Sequence, residues 1–272
     1  MTSGFPARTD LALDAFARDV GEVFASFLEQ DSGCREYGVE LGGERWFLKA
    51  AVEPRAVASV EGAIRFHAHV RHDAIIPLRR VVSGPGGPVL VYPWVDGEVL
   101  YGPGAPDGRT RRLDPRSTHA RFRRLSVAEI LAAIESIFDA HLAVTDAGFV
   151  AVDLYDGSLV YDFSARKMWL CDLDDYRPGP FTLEADRLPG STRFMAPEEF
   201  QRGATIDQRT TVFDLARTAL VLLDEADVDT RFRGTPALAA VARRATDGNP
   251  RDRYTTVAEF VAAWRRAAGT AA

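Results

Sequence analysis

Residues 190–199 read Gly190-Ser191-Thr192-Arg193-Phe194-Met195-Ala196-Pro197-Glu198-Glu199, and this stretch decides how the chain is interpreted. Two acidic sequences precede it, at residues 153–156 and 172–175. A further sequence follows it at residues 249–254 and reads Asn249-Pro250-Arg251-Asp252-Arg253-Tyr254. Each of these sequences is short and degenerate by itself, so the prediction of fold and function depends on their order and spacing.

The composition limits the classes to which the protein can belong. The chain has 272 residues, of which 46% are hydrophobic, enough for one substantial core or two smaller lobes. Its formal net charge of −6 argues against a nucleic-acid-binding protein, which normally carries a basic face. No apolar run approaches the roughly 20 residues that span a bilayer, and residues 1–10 do not read as a signal peptide. We therefore expect a cytoplasmic protein that contacts neither nucleic acid nor membrane, and Cys34 and Cys171 fit a reducing compartment.

The first part of the chain is rich in strands. Two strand-like runs flank Gly42-Gly43 and predict a β-hairpin. The other elements expected here are helices over residues 11–30 and 55–71 and strands over residues 77–82 and 89–92.

The second part is mainly helical. Residues 101–124, which are rich in Gly, Pro and Arg, separate it from the first part. Ser126 and Glu129 then form the pattern of a capping box, which predicts the start of a helix. Further helices are expected at residues 211–224 and 256–268.

Taken in order, these sequences resemble the protein kinase superfamily, most closely the bacterial relatives of eukaryotic-type serine/threonine kinases. Residues 190–199 resemble the end of a kinase activation segment, which small-molecule kinases of the aminoglycoside phosphotransferase type lack. The resemblance covers roughly residues 31–265 and implies an α+β, bilobal protein-kinase-like fold. Residues 1–96 would form a small lobe with an antiparallel sheet, and residues 97–272 a larger helical lobe. It also implies ATP and Mg²⁺ as cofactors, with a hydroxyl group of a protein or a small molecule as the phosphate acceptor.

The resemblance gives the polar residues of the helical part specific roles. Asp153 matches the base that accepts the proton of the substrate hydroxyl, and Asp172 matches the carboxylate that holds Mg²⁺. Ser158 stands where the family has an asparagine that binds the second metal ion, and Asp156 is expected to compensate for this poorer ligand. By the same resemblance, Glu198 is expected to form a buried ion pair with Arg253.

The strand-rich part is expected to bind the nucleotide. Lys49 ends a hydrophobic strand and matches the lysine that pairs with the α- and β-phosphates, and Glu61 is the candidate partner of that lysine. Gly33 is the one glycine retained from the phosphate-binding loop, where backbone amides approach the nucleotide. The backbone groups of Pro93 and Val95 are expected to face the adenine edge.

Three positions depart from the family pattern. Val152 replaces the arginine that receives an activation-loop phosphate, so we expect no switching by phosphorylation of that loop. Thr211 replaces the aspartate that anchors the catalytic loop, and Tyr155 replaces a lysine common in serine/threonine kinases. The leading interpretation is a serine/threonine protein kinase. The alternatives are a small-molecule kinase on the same fold, and a pseudokinase that acts as a nucleotide-binding or interaction scaffold.

Overall fold

The computed structural model describes residues 4–28, 32–101, 114–225 and 231–269. These residues confirm the α+β class, with a sheet of five antiparallel strands and several helices. The chain divides into two units, which are described separately: one comprises the chain up to Arg71 and Ile76–Asp96, the other His72–Ile75 and the chain from Gly97 onward. No helix within the described ranges is both long and apolar enough to cross a membrane.

The five-stranded sheet forms the first unit. Its strands, in the spatial order β1-β2-β3-β5-β4, are β1 (Glu22–Phe27), β2 (Cys34–Leu41), β3 (Glu44–Ala51), β4 (Arg80–Gly84) and β5 (Gly87–Pro93). The hairpin predicted around Gly42-Gly43 is confirmed, because both glycines adopt positive φ angles, +62° and +80°, as the tightest hairpin turns require. This turn sets a register that pairs Leu41 with Glu44.

One helix covers each face of the sheet. Because side chains alternate along a strand, Leu48 of β3 packs with Phe16 of α1 (Leu13–Val20). Phe47 faces the opposite way and packs against the cluster that contains Val60 of α2 (Val57–His69). The central strands of the sheet are therefore buried on both faces, whereas the edge strand β1 is largely exposed.

The helix expected over residues 11–30 is wrong beyond Val20. Gly21 has an extended backbone, and a side chain built there would lie 2.2 Å from the carbonyl oxygen of Glu40. Only glycine permits this close approach to β2, so the chain leaves the helix at Gly21 and continues as the edge strand β1. A local hydrophobic pattern does not contain this information.

The second unit is built on helices. The capping box is confirmed, because the backbone N–H of Glu129 donates to Ser126 Oγ at 3.2 Å and that of Ser126 donates to Glu129 Oε2 at 3.1 Å. The helix that it opens packs through Phe138 against Phe260 and Trp264, with ring centroids 5.0 and 5.4 Å apart. Among its described residues, the helices are α3 (Thr118–Arg123), α4 (Val127–Asp146), α5 (Gln208–Leu222), α6 (Pro236–Ala245) and α7 (Val257–Ala268).

The described part of the second unit also contains short strands, which pair in three small sheets. A three-stranded sheet has the order β6-β8-β9, and two further pairs join β7 with β10 and β11 with β12. Their bounds are β6 (Glu98–Val99), β7 (Phe149–Val150), β8 (Leu159–Asp162), β9 (Lys167–Leu170), β10 (Arg177–Pro178), β11 (Phe181–Thr182) and β12 (Thr205–Ile206).

Candidate active site

The β8–β9 hairpin brings two acidic loops together. Leu159 at the start of β8 pairs with Leu170 at the end of β9, so the loop before β8 and the loop after β9 lie at the same end of the hairpin. The backbone N–H of Cys171 donates to the carbonyl of Ser158 at 3.0 Å and links the two loops directly. The first loop carries Asp153 and the second carries Asp172.

Both aspartates adopt a strained backbone conformation. The φ angle is +62° at Asp153 and +55° at Asp172, in the left-handed region that residues other than glycine seldom occupy. Such outliers cost about 1–3 kcal/mol each and persist where the surrounding structure fixes them, often at functional sites. Here Ser158 Oγ donates to the carbonyl of Asp153 at 3.1 Å. The fold therefore holds the backbone of both aspartates in a conformation that is unfavourable for a residue other than glycine.

Both carboxylates are accessible enough to meet a ligand. Asp153 is half-buried and Asp172 is exposed. Tyr155 lies near both, and its pKa is raised by burial first and then by the neighbouring charges of Asp153 and Asp172. Its ring also meets that of Tyr101, with centroids 6.3 Å apart. The site thus combines two acids with an aromatic wall.

The segment 190–199 passes directly beside Asp153. A Cβ atom built on Gly190 would lie 3.5 Å from Asp153 Oδ1 and 3.0 Å from Met195 Sδ. Gly190 also has a φ angle of +140°, which strains any other residue. Glycine is therefore required where the segment meets the candidate base.

Thr211 anchors the loop that carries Asp153. Its Oγ1 accepts a hydrogen bond of 3.1 Å from the backbone N–H of Ala151, and Thr211 is fully buried in α5. Threonine, which stands here in place of the expected aspartate, therefore still provides a hydrogen-bond acceptor, on a shorter and uncharged side chain.

Asp156 and Ser158 do not take the metal-binding positions expected of them. Asp156 is only 1% exposed, and its Oδ2 lies 3.1 Å from Nδ1 of His119 and 3.3 Å from Nη1 of Arg193. Ser158 is fully buried and directs its hydroxyl to the Asp153 carbonyl. Asp156 is held in an internal ion pair and Ser158 supports the strained loop, so both expectations are corrected.

A magnesium ion at this site would depend mainly on Asp172. Within the described parts of the chain, no group of three or more His, Cys, Asp or Glu side chains is placed to hold a metal. Magnesium sites often use only one or two carboxylates, with waters and substrate phosphates as the remaining ligands. The exposed carboxylate of Asp172 fits that type of site.

The expected pair of Glu198 and Arg253 is present and buried. Arg253 Nη1 and Nη2 donate to Glu198 Oε1 and Oε2 at 2.7 and 2.9 Å, and the Arg253 side chain is 0% exposed. Arg253 also donates to the carbonyls of Asp247 and Arg209, and Thr210 Oγ1 donates to Glu198 Oε1. This network fixes the end of the 190–199 segment to the helical core.

A buried acid pair lies next to this network and was not foreseen from the sequence. Glu199 and Asp214 are 1% and 2% exposed. Burial raises the pKa of Glu199 to about 7 and that of Asp214 well above its usual range, and the neighbouring Glu199 raises the pKa of Asp214 further. The backbone N–H of Ala196 donates to Glu199 Oε2 at 2.6 Å. The pair therefore carries protons that an exposed pair would lose.

In the first unit, Lys49 pairs with Glu36. Lys49 is only 5% exposed, and its Nζ lies 3.5 Å from Glu36 Oε1. The two residues are direct partners in the β2–β3 ladder. The sequence contained this signal, because Glu36 and Lys49 are equally far from the Gly42-Gly43 turn.

The structure does not bring Glu61 to Lys49. Glu61 is exposed on α2, whose buried side presents Val60, Ala63 and Phe66 to the sheet. Among the ion pairs of the described residues, Lys49 contacts Glu36 and none involves Glu61. The expected partner is therefore corrected, because the helical phase turns Glu61 toward solvent.

The other expected nucleotide contacts lie at strand ends. Gly33 has a φ angle of +75° just before β2, and its carbonyl accepts the N–H groups of Val52 and Glu53. Asp31, also part of the expected loop, lies outside the described residues. Pro93 ends β5, and the N–H of Trp94 donates to Arg45. Since alternate residues of a strand direct their backbone groups to opposite sides, Pro93 directs its carbonyl away from β3. Val95 lies beyond the end of the strand.

Comparisons with known proteins add no family assignment. No model of a protein family matches the chain, and no curated protein matches its sequence.

Proposed function

We propose that the chain is an ATP- and Mg²⁺-dependent phosphotransferase with a bilobal protein-kinase-like fold, and that it transfers the γ-phosphate to a serine or threonine hydroxyl. One observation carries the proposal: Asp153 and Asp172 are held in left-handed backbone at one end of the β8–β9 hairpin. Two accessible carboxylates in fixed positions suit a reaction that needs a base and a metal ligand.

Asp153 acts as the base in this mechanism. Its carboxylate accepts the proton of the acceptor hydroxyl as the hydroxyl oxygen forms a bond to the γ-phosphorus. The bond from that phosphorus to the β–γ bridging oxygen breaks, and ADP leaves with the electron pair. The half-buried position of Asp153 and the nearby Gly190 backbone leave the carboxylate oriented and reachable.

Asp172 and Lys49 act on the nucleotide. Asp172 would hold Mg²⁺, which when bound neutralises charge on the β- and γ-phosphates. Lys49 pairs with the phosphates as a cation on a rigid strand, where its Nζ lies 3.5 Å from Glu36 Oε1. Pro93 and Val95 supply backbone groups for the adenine edge.

The acceptor class follows from the segment beside Asp153. The segment 190–199 is tied down by Glu198 and Arg253 and offers a fixed platform for an extended peptide. A small-molecule acceptor is the second candidate, since Tyr155 and Tyr101 form an aromatic wall near the aspartates where the related kinases carry a lysine.

Labelled ATP tests the proposal. The purified chain is incubated with Mg²⁺ and γ-labelled ATP, alone and with a cell extract, beside an Asp153→Asn variant. Label in protein that depends on Asp153 supports the first candidate, and label in small metabolites supports the second. If no label moves although calorimetry detects nucleotide binding, the chain is a binding scaffold and the proposal fails.

A further inference from the structure

Asp156 is the centre of a buried cluster that joins three separate parts of the second unit. This cluster, called here the Asp156 cluster, consists of His119 of α3, Asp156 of the candidate catalytic loop and Arg193 of the 190–199 segment. Both His119 and Asp156 are 1% exposed, and the Arg193 side chain is 17% exposed. Asp156 Oδ2 lies within 3.3 Å of a nitrogen atom of each partner.

The ionic part of the cluster is the contact of Asp156 with Arg193. Burial lowers the pKa of His119, which keeps its imidazole neutral near pH 7. The negative charge of Asp156 is therefore balanced by the guanidinium of Arg193. In a site so poorly solvated, a charge-assisted hydrogen bond is stronger than at the surface, and loss of one partner is costly.

Arg193 is itself held in place, and so is the backbone on both sides of it. Its carbonyl accepts a hydrogen bond of 2.7 Å from Nε of Arg217 in α5. The N–H of Phe194 donates to Ser191, and Arg187 donates to the carbonyl of Gly190 at 2.8 Å. Gly190 lies against Asp153. The Asp156 cluster is therefore connected through a short, ordered stretch to the candidate base.

We propose that Arg193 and Asp156 are positioning residues, whose ion pair keeps the 190–199 segment permanently ordered against Asp153. The activity part of this inference rests on the proposed function, whereas the ordering part does not. A phosphate added to a segment orders it by pairing with an arginine of the neighbouring loop. Here the charges are reversed, since the loop supplies the carboxylate and the segment supplies the arginine. Val152 is fully buried and offers no donor for a phosphate.

The inference also assigns a role to residues 118–123. Their helix, α3, places Nδ1 of His119 3.1 Å from Asp156 Oδ2, the same oxygen that Arg193 contacts. His119 is only 1% exposed and packs directly against the buried carboxylate of Asp156. The helix that follows the Gly/Pro-rich stretch is thus part of the support of the candidate site.

Hydrogen exchange of the full chain tests the ordering directly. The amides of Phe194 and Leu188 report on the segment, because they donate to Ser191 and Glu199. In Arg193→Gln and Asp156→Asn we expect both amides to exchange at least about tenfold faster than in the parent, with α7 unchanged. Arg193→Lys keeps the charge and should recover part of the protection.

Kinetics separate positioning from stability. We expect Arg193→Gln to lower kcat by about tenfold to a hundredfold at an unchanged KM for ATP, and Arg193→Lys to recover part of the loss. Arg265→Gln is the matched control, since it removes a half-buried ion pair with Asp139 away from Asp153 and should leave kcat unchanged.

The outcomes are distinct. If both amides of Arg193→Gln exchange as in the parent, or if Arg265→Gln lowers kcat as much as Arg193→Gln, the inference is overturned. If the parent transfers no phosphate, the proposed function fails, and the exchange rates alone still decide whether the ion pair orders the segment.

Discussion

Thr211 Oγ1 accepts the backbone N–H of Ala151 at 3.1 Å, and both residues are fully buried. This hydrogen bond joins the first turn of α5 to the loop that holds Asp153 in its left-handed conformation. A hydroxyl can accept such a bond without placing a charge in the core.

Thr211→Val should therefore weaken both stability and turnover. Valine has nearly the same shape but no acceptor, so the Ala151 N–H would be buried without a partner, at a cost of about 1–3 kcal/mol. Chemical denaturation measures the free energy of unfolding. Thr211→Ser keeps the hydroxyl and should behave almost like the parent, and equal loss in both variants would contradict the role of the hydrogen bond.

Arg253→Ala should destabilise the second unit strongly. It leaves the buried carboxylate of Glu198 without its bidentate partner, and breaking one side of such a pair costs about 3–5 kcal/mol. Thermal or urea unfolding would measure the loss. Arg251, in the 3₁₀ turn Pro250–Asp252 just before Arg253, is exposed and serves as the control, because Arg251→Ala should melt like the parent.

Substitutions of Asp153 and of Asp172 should impair different steps of the reaction. Asp153→Asn removes the base, so transfer should be lost while nucleotide affinity in the presence of Mg²⁺ stays near that of the parent. Asp172→Asn removes the metal ligand, so Mg²⁺-dependent nucleotide binding should fall as well. Titration calorimetry with and without Mg²⁺ separates the two. Asp186→Asn, at a largely exposed side chain, is the control, and equal small effects at Asp153 and Asp172 would show that the chemistry lies elsewhere.

Stability should fall as pH rises from about 4.5 to about 7. Glu199 has a pKa of about 7 in the folded chain against 4.5 ordinarily, so the folded state holds a proton that the unfolded state loses. Asp214 extends the effect to higher pH, and Glu198 raises the pKa of both carboxyls while Arg253 lowers it. The stabilisation is complete below the unfolded pKa and is lost as pH passes the folded pKa, with a change of about 2–3 kcal/mol.

Urea unfolding over this pH range checks the effect. Glu199→Gln cannot titrate, and its oxygen can still accept the Ala196 N–H, so its stability should depend less on pH than that of the parent. Glu225→Gln at an exposed site should keep the pH dependence of the parent. If the free energy of unfolding depended on pH in the same way in the parent and in Glu199→Gln, the buried pair would not hold the proton inferred here.

The parts of the fold set by short-range chemistry were predictable from the sequence. The Gly42-Gly43 turn and the Ser126–Glu129 capping box depend on neighbouring residues, and both appear where the pattern placed them. The end of the first helix was missed because Gly21 is required by contact with Glu40 on another strand. Nothing local marks that contact.

The same difference between local sequence patterns and long-range contacts applies to the candidate site. Asp153 and Asp172 were predicted because the sequences around them resemble kinase motifs, whereas the partners of Asp156 were not predicted. Arg193 lies 37 residues from Asp156 and His119 lies on a helix beyond a Gly/Pro-rich stretch, so neither contact leaves a pattern. Asp156 was mistaken for a metal ligand because a buried acid and an exposed acid read alike in a sequence.

The β2–β3 turn sets the register of the hairpin, so the surroundings of Lys49 depend on the number of residues between the turn and Lys49. One residue inserted between Gly43 and Lys49 would reverse the face of every later side chain in β3. The ammonium group would then point at the α1 side, among Phe16 and Val39, away from Glu36. A charge in that apolar cluster would be expelled or neutralised. The number of residues between the turn and Lys49 therefore decides which face of the sheet carries the ammonium group.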